Sequence, residues 1–237
     1  MKKFREYALI VAGGTGTRMN SKIPKQFLKL GSIPVLMHTI LAFHEYARNM
    51  YIVLVLPEKY IPYWKSLCAQ YRFSIPVHLA VGGQTRFQSV RNGLKLIKGD
   101  GIVAIHDGVR PLIDRETISN SFAAASSKGS AVTAIWLKDS IRKIEKDISL
   151  PLDRSEFCLI QTPQTFRVPK IKKAYECREL PLMTDDAIVF ERAGYKVYLV
   201  PGFYTNIKIT TAEDLFIAKA LLKNRDPGPG RLSIRPR

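Results

Sequence analysis

Two periods of apolar residues alternate along this chain. Tyr7 to Ala12 is a short, continuous apolar run closed by glycine, which predicts a buried strand. From Val35 to Ala47 the residues Leu36, Ile40, Leu41 and Phe43 fall at helical spacing, and Pro34 suits the first turn of that helix. Tyr51–Leu56 reads as the next strand, stopped by Pro57, and Glu58 to Tyr71 as a helix. Pro76 to Val81 reads as a strand running into Gly82-Gly83, and Gln84 to Ile97 as a helix with Phe87, Val90, Leu94 and Ile97 on one face. Gly101 to His106 is a further strand ending at Asp107. Asp114 to Lys128 is a helix with Asp114 placed to cap it, and Ala131 to Leu137 is again a strand. Such alternation predicts βαβ units around a mostly parallel sheet flanked by helices, an α/β fold. Right-handed crossovers then put ligands at the carboxyl edge of the strands.

The pattern changes between Lys138 and Leu159. Ser140 to Glu145 alternates like an exposed strand, Lys146-Asp147 can turn the chain, and Ile148 to Ser155 can return it. A two-stranded excursion is marginal by itself. It either packs on something, such as a second subunit, or forms a surface flap. Regular structure resumes with a strand at Phe157–Gln161, helices at Val168–Arg178 and Thr184–Ala193 (capped by Thr184), a strand at Tyr195–Val200 and a short one at Asn206–Ile209. Thr211 and Asp214 have the spacing of a capping box before a last helix that reaches about Leu222. Pro227-Gly228-Pro229-Gly230 interrupts regular structure, so 224–237 is expected to be a basic, disordered tail behind a single domain of residues 1–223.

Composition narrows the function classes. At 237 residues and 46% hydrophobic the chain suits one α/β domain with a sizeable core, and it contains no run of eighteen apolar residues to span a membrane. The basic start, Met1 to Arg5, meets Glu6 and then an apolar segment that ends in glycines, unlike a signal peptide. Three scattered cysteines fit a reducing cytoplasm better than a disulfide or zinc framework. The net charge of +17 invites a nucleic-acid reading. The cations form no basic run and no aromatic-basic repeat, however. A small polyanionic substrate and a solvated surface account for them, and neither nucleic acid nor membrane is expected as a partner.

Candidate chemistry gathers at three strand ends. Ala12-Gly13-Gly14-Thr15-Gly16 follows the first strand and leads to Arg18 and Lys25. Glycines let backbone N–H groups approach phosphate oxygens, and the two cations can neutralise a nucleoside triphosphate. The loop lacks the Gly-Lys-Ser/Thr of a Walker motif and the third glycine of a dinucleotide fingerprint. An ordinary strand-to-loop turn with surface cations remains open from this stretch alone. Asp107, at another strand end, can hold Mg²⁺ directly or through water, or can cap the following turn. His106 beside it could be a base, but a lone His at a strand end is more often a packed or hydrogen-bonded residue. Lys208, inside a short apolar segment, either snorkels or faces an anion.

Taken together, Ala12-Gly13-Gly14-Thr15-Gly16-Thr17-Arg18-Met19, Pro24-Lys25-Gln26, His106-Asp107-Gly108-Val109-Arg110-Pro111, Thr162-Pro163-Gln164, Thr184-Asp185-Asp186-Ala187 and Asn206-Ile207-Lys208-Ile209-Thr210 resemble the 2-C-methyl-D-erythritol 4-phosphate cytidylyltransferase family. The motifs keep their order over roughly residues 6 to 222. The resemblance implies a Rossmann-like, twisted sheet, a homodimer joined by a protruding β-arm at 138–159, and Mg²⁺-dependent transfer from CTP to a polyol phosphate. Arg18 and Lys25 would be transition-state cations. Ala12, Gly13, Gly14, Gly16, Gly83, Gln84, Ser89 and Asp107 would bind CTP, with Asp107 also near the metal. Arg110, Ser140, Arg154 and Lys208 would bind the methylerythritol phosphate, the two arm residues reaching the neighbour's substrate, and Arg154 and Lys208 would also count as catalytic. Two departures stand out: Gln84 where an acidic residue is frequent, and Ser140 where Thr is frequent. The rival readings are a ribitol-5-phosphate cytidylyltransferase and a non-catalytic nucleotide- or RNA-binding module.

Overall fold

The computed structural model describes residues 4–14 and 23–224. Gly16, Arg18 and the tail from 225 therefore lie outside the described residues. Along the chain come β1 (Glu6–Val11), a 3₁₀ turn (Lys25–Phe27), the short pair β2 (Lys29–Leu30) and β3 (Ile33–Pro34), α1 (Val35–Tyr46), β4 (Tyr51–Leu56), α2 (Ile61–Tyr71), β5 (His78–Val81), α3 (Arg86–Leu94) and β6 (Ile102–Asp107). Then follow α4 (Arg115–Lys128), β7 (Ser130–Trp136), β8 (Ile141–Glu145), β9 (Ile148–Leu152), β10 (Cys158–Arg167), α5 (Val168–Ala174), α6 (Asp186–Arg192), β11 (Leu199–Pro201) and α7 (Ala212–Lys223). Seven strands form one sheet in the order β11-β7-β10-β6-β1-β4-β5. β1 pairs in parallel with β4 and with β6, β4 with β5, and β7 with β11, while β10 runs antiparallel to both its neighbours. The α/β fold with a mostly parallel sheet is thus the expected one.

Both faces of the sheet are covered, which is why its central strands read as unbroken apolar runs. Along β1, Ala8 and Ile10 join the core that includes Leu36 and Ile40 of α1, Trp64 of α2 and Phe122 of α4. Tyr7, Leu9 and Val11 join the opposite core, with Phe87 and Val90 of α3, Ile171 of α5 and Phe190 of α6. Helix α3 lies especially close to the sheet: a Cβ on Gly93 would stand 2.8 Å from Val55 Cγ2 and 2.9 Å from Leu9 Cδ1. Asp114 caps α4 by accepting from the Thr117 N–H at 2.7 Å, and Thr211 with Asp214 forms the capping box of α7. No helix among the described residues is long and apolar enough to cross a membrane.

β8 and β9 form a separate two-stranded sheet, joined by Lys146-Asp147 with Lys146 at φ 52°. In its register Ile141 faces Leu152, Lys143 faces Leu150 and Glu145 faces Ile148. One face of the arm thereby gathers Ile141, Ile148, Leu150 and Leu152.

Some boundaries differ from expectation. The strand expected at 157–161 is ten residues long and runs on through Thr162-Pro163-Gln164, with a register shift between Ile160 and Gln164. Asn206–Ile209 is not a strand. Its one ladder-like bond joins the Ile209 N–H to the Val109 carbonyl, because Asn206 and Lys208 turn inward to polar partners instead of pairing along an edge. Helix α6 is capped by Asp185, not Thr184: Asp185 Oδ1 accepts from the Ile188 N–H at 3.0 Å. Likewise Thr85 caps α3, so the expected helix start at Gln84 lies in the preceding turn.

Because α3 is fitted to the sheet by a missing side chain, Gly93→Val is expected to lower stability by about 1–3 kcal/mol through overpacking. The reading is a lower urea midpoint with an unchanged m-value.

Candidate active site

The order of the sheet reverses at β1. The chain steps outward on one side to β4 and β5, then crosses to β6 on the other. Ligands of such sheets bind at this switch point, in the crevice beyond the strand carboxyl ends. The ends of β1 and β6 are in register there, Val11 beside Asp107. The ladders continue briefly past the strands: the Gly108 N–H donates to the Val11 carbonyl at 2.8 Å, the Ala12 N–H to Val55 at 3.0 Å and the Gly82 N–H to Leu56 at 2.8 Å. A Cβ on Gly108 would meet Ala12 Cβ at 2.9 Å, so the two strand exits touch backbone to backbone.

Asp107 is the centre of this crevice. Its Oδ2 lies 3.0 Å from Lys208 Nζ and 3.4 Å from Arg110 Nε, and its Oδ1 lies 3.6 Å from Arg86 Nε. Burial alone would raise the Asp107 pKa. Arg86, Lys208 and Arg110 reverse that and hold the carboxyl well below the usual range, so it is ionised at neutral pH. Lys208 faces an anion, one of the two readings of its sequence context, and its side chain is still 42% exposed. Arg110 is instead buried, and its Nη1 donates to the Asn206 carbonyl at 2.8 Å. Arg110 thus ties Asp107 to the 206–210 segment, beside Lys208 with which it was expected to meet the substrate.

The glycine loops are held by side chains from elsewhere. Gln26 is buried and donates through Nε2 to the carbonyls of Ala12 at 3.0 Å and Gly14 at 3.2 Å. Lys25 next to it is buried in the 3₁₀ turn, and its Cε lies 3.9 Å from where a Gly14 Cβ would stand. Ser89 Oγ accepts from the Gly83 N–H at 3.1 Å and donates to the Thr85 carbonyl at 2.9 Å. It also lies 3.4 Å from a Gly13 Cβ position and 3.2 Å from a Gly82 one. Ser89 therefore shapes the loop at which it was expected to bind. The Gln84 N–H is taken by Gln88 Oε1 at 3.1 Å, which leaves the exposed Gln84 side chain at the loop's tip.

Ser140 and Arg154 stand apart, at the root of the arm. Both are exposed, and Arg154 donates through Nη1 to the Lys138 carbonyl. Arg86 was not singled out from the sequence, and Asp186 was quoted only within a motif. Arg86 Nη1 and Nη2 donate to Asp186 Oδ1 and Oδ2 at 2.9 and 2.7 Å, across 100 residues of chain. Gln164 was quoted only within a motif. Its amide accepts from the Ala187 N–H at 2.8 Å and donates to Asp185 at 3.0 Å, so it helps cap α6. The only local signal was the pair Asp185-Asp186 ahead of an apolar run, a helix-start pattern.

As to a metal, the described residues contain no group of three or more His, Cys, Asp or Glu side chains that could hold an ion by themselves. Mg²⁺ needs no such cage. It is commonly held by one or two carboxylates, substrate phosphates and waters. An ionised Asp107 whose Oδ1 has, among the described residues, an ion-pair contact to Arg86 at 3.6 Å fits that mode.

His106 is buried, its ring edge-on to Phe43. Thr162 Oγ1 accepts the Asp107 N–H at 3.1 Å and lies 3.1 Å from His106 Nδ1, while Nε2 lies 3.2 Å from the Arg110 carbonyl. These partners assign a neutral ring that accepts at Nδ1 and donates from Nε2. Burial lowers its pKa from 6.5 to about 4. An unfolded imidazole binds a proton below about 6.5 and the folded one does not until about 4, so stability falls as pH drops through this window. The expected loss is roughly 3 kcal/mol between those limits. His106→Gln is expected to flatten the slope, as read by urea unfolding at stepped pH.

Comparison with known proteins agrees with this geometry. The family model described as 2-C-methyl-D-erythritol 4-phosphate cytidylyltransferase matches residues 7–224. A protein of that name from Bacteroides fragilis is 47% identical over 215 residues, covering 91% of this chain and 98% of the relative. Its namesake from Phocaeicola vulgatus is 46% identical, covering 91% and 99%. Among solved structures, a 4-diphosphocytidyl-2C-methyl-D-erythritol synthase from Anaerococcus prevotii superimposes with a TM-score of 0.79 at 31% identity, over 93% of this chain and 99% of that one. The residues gathered at the β1–β6 switch point thus sit in a fold shared almost end to end, and the chain belongs to the 2-C-methyl-D-erythritol 4-phosphate cytidylyltransferase family.

Proposed function

We propose that the switch-point crevice transfers the cytidylyl group of CTP to 2-C-methyl-D-erythritol 4-phosphate, forming 4-diphosphocytidyl-2-C-methyl-D-erythritol and releasing pyrophosphate. The observation that carries this reading is the Asp107 cluster beside the glycine loop, in a chain matched by the family over residues 7–224. The substrate phosphate attacks the α-phosphorus in line. With a second pKa near 6 it is already an anion at pH 7, so no general base is needed. The neutral, buried His106 has none of that work to do.

The protein's part is then positioning and neutralisation of charge. The backbone of Ala12, Gly13 and Gly14, fixed by Gln26, receives the triphosphate, and Lys25 meets its charge from below the loop. Arg18 and Gly16 are assigned to the same task from the sequence. Gly83 and Gln84 meet the base, with Ser89 behind them. Lys208, half exposed at the lip of the cluster, meets the polyol phosphate. Asp107 would hold Mg²⁺ directly or through water, and a bound ion would supply countercharge for the triphosphate and the leaving pyrophosphate. Neither ribitol phosphate as acceptor nor a non-catalytic module is favoured by the relatives' names or by the retained Lys25 and Asp107. Free cysteines at 68, 158 and 177 suit a cytoplasmic setting.

We also infer a homodimer through the arm. Ile148 and Leu150 are 66% and 44% exposed on its apolar face, and Trp136, Leu159 and Ile160 extend exposed apolar surface along β7 and β10. Scattered apolar residues are ordinary, but several gathered on one face of a two-stranded arm support an interface. A second copy seated there would bring Ser140 and Arg154 to its neighbour's crevice.

Pyrophosphate release from CTP and Mg²⁺ is expected with methylerythritol phosphate, and much less with ribitol phosphate. Release with neither acceptor, together with steeply salt-dependent RNA binding, would overturn the assignment. Lys25→Ala is expected to lower kcat by about 10²–10³, while Lys208→Ala acts chiefly on the polyol phosphate. For the arm, Ile148→Glu with Leu150→Glu is expected to give monomers by light scattering. Mixed Lys25→Ala and Arg154→Ala subunits are expected to regain activity, because one composite site per dimer then has all its parts.

A further inference from the structure

We propose that Arg86 is a positioning residue for this reaction, fixing the Asp107 carboxylate from a buried anchor on α6. The proposal rests on the nucleotidyl-transfer reading above. Arg86 is the first residue of α3, directly behind that loop. Its guanidinium grips the fully buried Asp186 end-on, through both Nη atoms. That grip leaves the Nε–H edge, which faces Asp107 Oδ1 at 3.6 Å. A guanidinium is a rigid planar fork, so anchoring one edge determines where the other points.

The anchor itself is braced. Tyr175 Oη donates to Asp186 Oδ1 at 2.6 Å, and the Tyr175 ring stacks on Phe87 at 4.7 Å. In parallel, Gln88 Nε2 donates to Glu179 Oε2 at 3.1 Å while its Oε1 accepts the Gln84 N–H at 3.1 Å. Residues 175–186 thus hold the start of α3 at two points, one leading to Asp107 and one to the base-side loop. Around Asp107, Oδ2 has Lys208 and Arg110, whereas the ion pair to Oδ1 comes from Arg86. Oδ1 is the oxygen left with the looser contact, and Arg86 sets its direction.

A buried ion pair rarely adds stability over well-packed apolar residues of like volume. That makes the two roles separable. The triple variant Arg86→Met/Tyr175→Phe/Asp186→Leu removes charges and hydroxyl together, and Asp107 keeps Lys208 and Arg110 on Oδ2 while Oδ1 loses its ion pair. Its melting temperature is expected to stay within about 5 °C of the parent. Its kcat for pyrophosphate release is expected to fall about 10- to 100-fold, with KM for CTP little changed. Arg86→Lys, which keeps the charge and loses the fork, is expected to fold and to show the same split between kcat and KM. Parental kcat in either variant overturns the proposal, and Arg86→Lys alone decides it if the triple variant does not fold. A parent enzyme that releases no pyrophosphate with either acceptor sinks the nucleotidyl-transfer reading and this inference with it. An active parent with equally active variants sinks this inference only.

Discussion

A single ionised carboxylate in a dry place organises this molecule. Burying Asp107 costs several kcal/mol unless cations and donors surround it, and they do. Arg86 comes from the start of α3, Arg110 from the turn after β6 and Lys208 from the extended segment before α7. Arg110 is in turn acceptable inside because Asp107 is there, whereas Arg86 also has Asp186 and Lys208 reaches solvent. Remove the anion and three like charges would face one another. The strand end, a helix start and a late loop are therefore locked together by charge, and apolar packing alone would not specify that meeting point. Lys208 differs from the two arginines in being substantially exposed.

Preorganisation of the crevice depends on absent side chains as much as on present ones. At Gly108 and Gly93 the backbone comes within side-chain distance of its neighbours, which draws β6 against the exit of β1 and α3 against the sheet. Gly83 has no room for a Cβ, which would stand 2.3 Å from Gln88 Cβ. With these approaches fixed, a few polar side chains suffice to set the loops: Gln26 at the first glycine loop, Ser89 and Gln88 at the second. Donors and cations held in this way need no reorganisation when charge develops on a phosphate, which is where such sites gain their rate.

What the sequence made legible follows from range. Strands and helices are written in local periodicity, and the three strand-end loops were found because glycine and carboxylate interrupt apolar runs at those points. The arm was legible too, through its alternation and its Lys146-Asp147 turn. The Arg86–Asp186 grip was not, because a first-turn arginine and a helix-start aspartate look alike whether solvated or paired, and 100 residues separate them. The antiparallel course of β10 was missed for a similar reason. Thr162-Pro163-Gln164 follows the expected strand end, yet Gln164 resumes the pairing with β7 and opens that with β6 while its amide turns to α6. Asn206–Ile209 misled in the opposite direction, its β-like alternation belonging to an extended segment held by Asp107, Thr162 and Val109.

His106 shows why a suggestive residue beside the chemistry need not take part in it. A proton carrier needs an accessible nitrogen and a pKa near the working pH. Both ring nitrogens of His106 have partners, and burial pushes the pKa to about 4. What the ring does is mechanical. It links Thr162, which receives the Asp107 N–H, to the carbonyl of Arg110, whose guanidinium returns to Asp107. The imidazole thus closes a loop of contacts around the carboxylate. That is what a site needs when its nucleophile arrives already charged and only geometry and countercharge remain to be supplied.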